Sequence, residues 1–64
     1  MENRLKDLRT QRKISQNVLA EAPSVSRQTI NSIENGKFDP SLTLAMKLTR
    51  YFEVSLDEIF VYED

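Results

Sequence analysis

Apolar residues recur three and four apart through most of the chain, and most of these stretches open on a serine. Leu5 and Leu8 predict a first helix over residues 3–12, capped by Asn3, with Ile14 packing just after it. Ser15 caps a second, short helix that carries apolar Val18 and Leu19 and the small Ala20, against which another helix can approach closely. Ser26 caps a third helix whose Ile30 and Ile33 fall on one face, with Gly36 just past its end. Pro40 ends the next loop and Ser41 caps a fourth helix over 42–52, with Leu44, Ala45, Leu48 and Phe52 turned inward. Ser55-Leu56-Asp57-Glu58 fits the capping-box pattern of a very short fifth helix, whose Leu56, Ile59 and Phe60 close the bottom of the core. Only the terminal Phe60-Val61-Tyr62 has strand character. The expectation is an all-α domain of five helices.

The outward side of the third helix changes the picture from fold to chemistry. Arg27, Gln28, Thr29, Asn31 and Ser32 carry forked or short hydrogen-bonding side chains, where an ordinary surface helix is richer in Glu and Lys. Arginine matches the O6/N7 edge of guanine, asparagine and glutamine match the N6/N7 edge of adenine, and a threonine methyl suits that of thymine. Arg27 and Gln28 stand in the first turn, the part of a reading helix that points deepest into a major groove. For Arg27 a phosphate contact, which positions without specifying, is the alternative; Thr29 can equally pack at the groove wall.

Two short helices joined by a few residues, the second with a polar outer face, describe a helix-turn-helix. Residues 5–62 resemble the lambda-repressor-like, Cro/C1-type helix-turn-helix family. The resemblance is carried by Leu5-Lys6-Asp7-Leu8-Arg9, Ser15-Gln16, Leu19-Ala20, Val25-Ser26-Arg27-Gln28-Thr29-Ile30, Ile33-Glu34-Asn35-Gly36-Lys37 and Pro40-Ser41-Leu42. It implies that Gln16 binds a phosphate and braces the first glutamine of the reading helix. It implies a second phosphate clamp at Asn35 and Lys37, and a partly buried ion pair between Arg9 and Glu34 that fixes the angle of that helix. Lys37 as a solvated loop residue is the alternative. Arg4, Lys6 and Arg12 read as solvated.

The chain departs from the family at its turns. Lys13, Ser24 and Glu53 stand where glycines are usual, each at a cost of about 1 kcal/mol if the backbone stays left-handed. Pro23 replaces an apolar helical residue, so helix two is expected to end near Glu21, with Ala22 pushed out of the α region and one core side chain lost.

Length and composition narrow the function. Sixty-four residues give one domain over 1–64, near the lower size limit for a core without staples. With neither Cys nor His, disulfides and the usual zinc sites are excluded, and no cofactor is expected. No apolar run suits a membrane helix and no signal-peptide pattern opens the chain, so the expected location is the cytoplasm. The net charge of −1 is unevenly spread. Through Lys37 the balance is +3, with Arg4, Lys6, Arg9, Arg12, Lys13, Arg27 and Lys37 against Glu2, Asp7, Glu21 and Glu34; from Phe38 onward it is −4. A basic half that carries the reading helix would orient the domain on a duplex.

The expected activity is therefore sequence-specific binding of double-stranded DNA by a transcriptional regulator, a repressor on a pseudo-palindromic operator. One subunit reads few base pairs, so a homodimer is expected. Phe60, Val61 and Tyr62, in a tail over 60–64, are its candidate interface, or else simply cap the monomer core. An antitoxin-type protein-interaction module with autoregulatory DNA binding is the second reading. No catalytic spacing points to an enzyme, and no small-molecule ligand is evident.

Overall fold

The computed structural model describes residues 1–63; Asp64, the end of the expected interface tail, lies outside them. The helices are α1 (Leu5–Gln11), α2 (Gln16–Glu21), α3 (Arg27–Glu34), α4 (Leu42–Phe52) and α5 (Leu56–Ile59). Leu5, Leu19, Ile30, Ile33, Leu48 and Ile59 are fully buried, so every helix contributes to one core. Leu8, Ile14, Val25 and Val54 pack partly buried against it. Leu56, expected in the core, is instead exposed, because it opens the four-residue α5 and Ile59 takes the inward position.

Three of the serine caps form as the chemistry of an N-cap requires. Ser15, Ser26 and Ser41 each accept the N–H three residues on, at 3.1, 3.1 and 3.2 Å. Ser55 differs: its hydroxyl donates to the Glu58 carboxylate at 3.2 Å and caps no N–H, so the expected capping box is absent there. A one-turn helix leaves the carboxylate within reach of the hydroxyl, and the two side chains satisfy each other.

The first four helices stop by a common device. Lys13, Ser24, Gly36 and Glu53 all have positive φ, of 57, 59, 73 and 56°. In each case the following N–H reaches back five residues: Ile14 to Arg9, Val25 to Ala20, Lys37 to Ser32 and Val54 to Thr49, at 3.0–3.4 Å. These are the bonds of a Schellman stop, and Ile14, Val25 and Val54 add its apolar contact. The left-handed strain at the three non-glycine positions is offset by those bonds and contacts. Glu53→Gly is accordingly expected to stabilise the domain by about 1 kcal/mol, seen as a higher thermal midpoint. An unchanged or lower midpoint would show that the Glu53 backbone carries no strain.

Helix α2 ends at Glu21, but Ala22 keeps right-handed helical angles (φ −60°, ψ −51°). The Ser24 N–H to Glu21 and Val25 N–H to Ala20 bonds hold the turn in helical register across Pro23. A proline disfavours that conformation in its neighbour without forbidding it. Nor is a core side chain lost, since Pro23 itself is buried.

The chain ends are paired. Asn3 and Phe60 form an antiparallel bridge, flanked by bonds from Arg4 N–H to the Ile59 carbonyl (2.7 Å) and from Val61 N–H to that of Glu2 (2.9 Å). This pairing turns Phe60 into the core of its own monomer and leaves Val61 half-buried, so of the three expected interface residues only Tyr62, 78% exposed, points fully outward. Phe60 thus serves the second of its two expected uses.

Candidate nucleic-acid interface

The buried side of α3 fixes which side faces out. Ile30 and Ile33 are wholly enclosed, which leaves Arg27 and Gln28 exposed in the first turn and Thr29, Asn31 and Ser32 half-buried along the same helix. Two of these groups are held in place. The Thr29 hydroxyl shares a hydrogen bond with that of Ser26 at 2.9 Å, and Asn31 Oδ1 accepts from Asn35 Nδ2 at 3.1 Å. The five residues singled out on α3 are spread over the side of the helix away from Ile30 and Ile33, with Arg27 and Thr29 at its opposite edges, and Asn35 and Lys37 follow exposed at its C-terminal end.

The helix is anchored at its last residue. The Glu34 side chain is 3% exposed and that of Arg9 12%. Arg9 Nε donates to Glu34 Oε2 at 2.7 Å and its terminal nitrogen to Oε1 at 3.2 Å, while the other terminal nitrogen donates to the Ile14 carbonyl at 2.9 Å. Such a two-pronged pair fixes orientation as well as charge. Gln16 Nε2 donates to the same Glu34 Oε1 at 3.0 Å. The bond from Gln16 therefore runs to the last residue of α3, and among the described residues no hydrogen bond joins Gln16 to Gln28. One carboxylate joins α1, α2 and α3.

Two further contacts escaped the sequence reading. Asn3, expected to cap α1, accepts the Leu5 N–H on its amide oxygen (3.1 Å), but the N-cap position falls to Arg4, which makes no side-chain cap bond, and the Asn3 amide nitrogen donates to the Ile33 carbonyl at 2.7 Å. It ties the start of the chain to the end of α3. Arg12, read as solvated, donates to the carbonyls of Tyr51 and Phe52 at 3.2 and 3.0 Å and lies 5.7 and 5.0 Å from their ring centroids. A cation there answers the exposed carbonyls at the end of α4. Its position just past the end of α1 gave no sign of that partner, forty residues away in sequence.

Among the described residues no cluster of His, Cys, Asp and Glu is arranged to hold a metal ion, and no helix is long and apolar enough to cross a membrane. What the surface offers is a rigidly mounted helix with a hydrogen-bonding front. With α2 and the turn between them, it forms a small helix-turn-helix domain.

Comparison with known proteins places it. The helix-turn-helix family model HTH_3 matches residues 5–59. An uncharacterised HTH-type transcriptional regulator of Methanocaldococcus jannaschii is 50% identical over the whole of this chain and 97% of its own length. The HTH-type regulator YgzD of Bacillus subtilis is 39% identical, again over all of this chain and 97% of its own. The crystal structure of the restriction-modification controller protein C.AhdI of Aeromonas hydrophila superposes with a TM-score of 0.80 at 32% identity, covering 89% of this chain and 86% of that one. The chain belongs to the Cro/C1-type, lambda-repressor-like helix-turn-helix family of DNA-binding transcriptional regulators.

Proposed function

We infer that the protein is a cytoplasmic repressor that occupies promoter DNA as a homodimer on a pseudo-palindromic operator. The observation that carries this reading is the side of α3 turned away from the buried Ile30 and Ile33, over which Arg27, Gln28, Thr29, Asn31 and Ser32 are spread, on a helix anchored through Glu34. Arg27 and Gln28 are assigned to base edges, with Thr29, Asn31 and Ser32 completing the reading surface. Gln16, Asn35 and Lys37 are assigned to the flanking phosphates. For Gln16 this means exchanging or sharing its bond to Glu34. A protein seated in the groove over a promoter blocks the polymerase by occupancy alone.

Dimerisation is supported by apolar surface that the monomer leaves uncovered. Leu42 is 68% exposed, and with Leu56 and Tyr62 it lines an open groove of about 410 Å³ floored by Ala45 and Phe60. No residue of α3 borders this groove, so covering it leaves the reading face available. The subunit contact is assigned to Leu42, Leu56 and Tyr62, in place of the Phe60-Val61-Tyr62 tail as a unit.

Selection from a random duplex pool tests the whole reading. The expected product is an inverted repeat whose half-sites lie one helical turn, about 34–36 Å, apart. Placed across a promoter, that sequence is expected to lower transcription in the presence of the protein. A single asymmetric site would overturn the dimer, and a rise in transcription would overturn repression.

A further inference from the structure

We propose that Phe38 and the outward ridge of α3 form a socket for the 5-methyl group of one thymine in each half-site. A loop residue beyond the reading helix thereby sets a base preference. The inference rests on the assignment of α3 to the major groove and names a recognition element within it.

Phe38 is a large apolar ring left 46% exposed, and its surroundings are the reading face rather than the core. The positive φ of Gly36 reverses the chain after α3, and the N–H groups of Lys37 and Phe38 then both donate to the Ser32 carbonyl, at 3.0 and 3.3 Å. Those bonds hold the phenylalanine backbone against the third helix. Its ring closes one side of a shallow depression of about 210 Å³, whose other walls are Ser26, Gln28, Thr29 and Ser32. All four belong to α3 or its cap.

In the major groove thymine alone among the four bases presents a methyl group; the other edges present polar atoms, to which a phenyl ring offers nothing. Gln28, on the rim, suits adenine. An apolar socket beside an adenine-reading amide is matched by a T·A pair, read on both of its bases, or by two such pairs in succession. Thr29 turns a side chain with a methyl of its own to the same depression.

Uracil keeps every hydrogen-bonding group of thymine and lacks only the methyl, so it isolates the proposed contact. In the selected operator each thymine is replaced singly by deoxyuridine and binding is measured by fluorescence anisotropy. One thymine per half-site is expected to show a loss of about fourfold, the effect of leaving one methyl group unburied. Phe38→Ala, checked for folding by circular dichroism, is expected to bind the thymine and uracil duplexes equally; Phe38→Leu, which keeps apolar bulk, is expected to retain part of the discrimination. The socket is overturned if no thymine is sensitive, if the selected half-site contains none, or if Phe38→Ala still distinguishes the two bases. Equal weakening of Phe38→Leu on both duplexes would place the ring against the sugar-phosphate wall instead, overturning the socket while leaving the role of α3 intact. Absence of binding to any duplex by the unaltered protein would remove both.

Discussion

Replacing Glu34 by alanine is expected to destabilise the domain by about 3–5 kcal/mol, the cost of stranding the partner of a buried ion pair. Domains of this size have a total stability of only about 3–10 kcal/mol, so the variant should be largely unfolded at modest denaturant or temperature. The magnitude follows from what the carboxylate holds. With its side chain 3% exposed, it takes two bonds from Arg9 and one from Gln16, and Arg9 at 12% exposure has little water to turn to once it is gone. Arg9→Lys is not expected to substitute for arginine, because a single ammonium cannot reproduce a fork that also donates to the Ile14 carbonyl.

The pair need not stabilise the domain relative to a well-packed apolar replacement. Joint substitution of Arg9 by Met and Glu34 by Leu is therefore expected to cost much less than either single alanine variant. Denaturant titrations followed by circular dichroism separate the cases. A loss below about 1 kcal/mol for Glu34→Ala would show that water enters the site and solvates Arg9. If the double variant folds well but loses discrimination between operator and random DNA, the pair's contribution lies in holding the angle of α3.

What could be read from the sequence divides by the range of the interaction. The Ser15, Ser26 and Ser41 caps were legible because a cap is a contact between a side chain and an N–H three residues away. The inward faces of α3 and α4 were legible because Ile30, Ile33, Leu44, Leu48 and Phe52 obey the helical period. The left-handed turns at Lys13, Ser24 and Glu53 were located through the family resemblance, as positions where glycines are usual, and each stands just before an apolar residue that the core takes up. Long side chains choose partners through space, and of those pairings only Arg9 with Glu34 was legible, through the family resemblance rather than through any local pattern. Nothing local told Gln16 to bond Glu34, Asn3 to bond the Ile33 carbonyl, or Arg12 to cap α4. Pro23 misled for a related reason: its local bias is real, but burial of the ring and the bonds across the turn outweigh it. Phe60 was ambiguous because its pairing with Asn3 joins opposite ends of the chain.

For the reading face, the largest single effect is expected from Gln28→Ala. It should weaken binding to the selected operator by about 1–3 kcal/mol per half-site and relax the preference at one base pair. Gln28 stands exposed in the first turn of α3, and among the described residues no internal hydrogen bond engages its side chain, whereas Asn31 is already held by Asn35 and Thr29 by Ser26. It is therefore the amide on this surface with both its donor and its acceptor available to a base. On random DNA, where affinity comes from neutralised phosphates, the same substitution should change little, because no charge is removed. Arg27→Ala supplies the contrast. If Arg27 reads a guanine, its loss will fall on the operator far more than on random sequence; if it meets a phosphate, both will weaken together and the salt dependence will flatten by about one unit of slope per subunit. Parallel titrations of the two variants on operator and random duplexes, at several salt concentrations, thus separate reading from positioning on adjacent residues of one turn. Equal weakening of Gln28→Ala on both duplexes would contradict its assignment to a base edge.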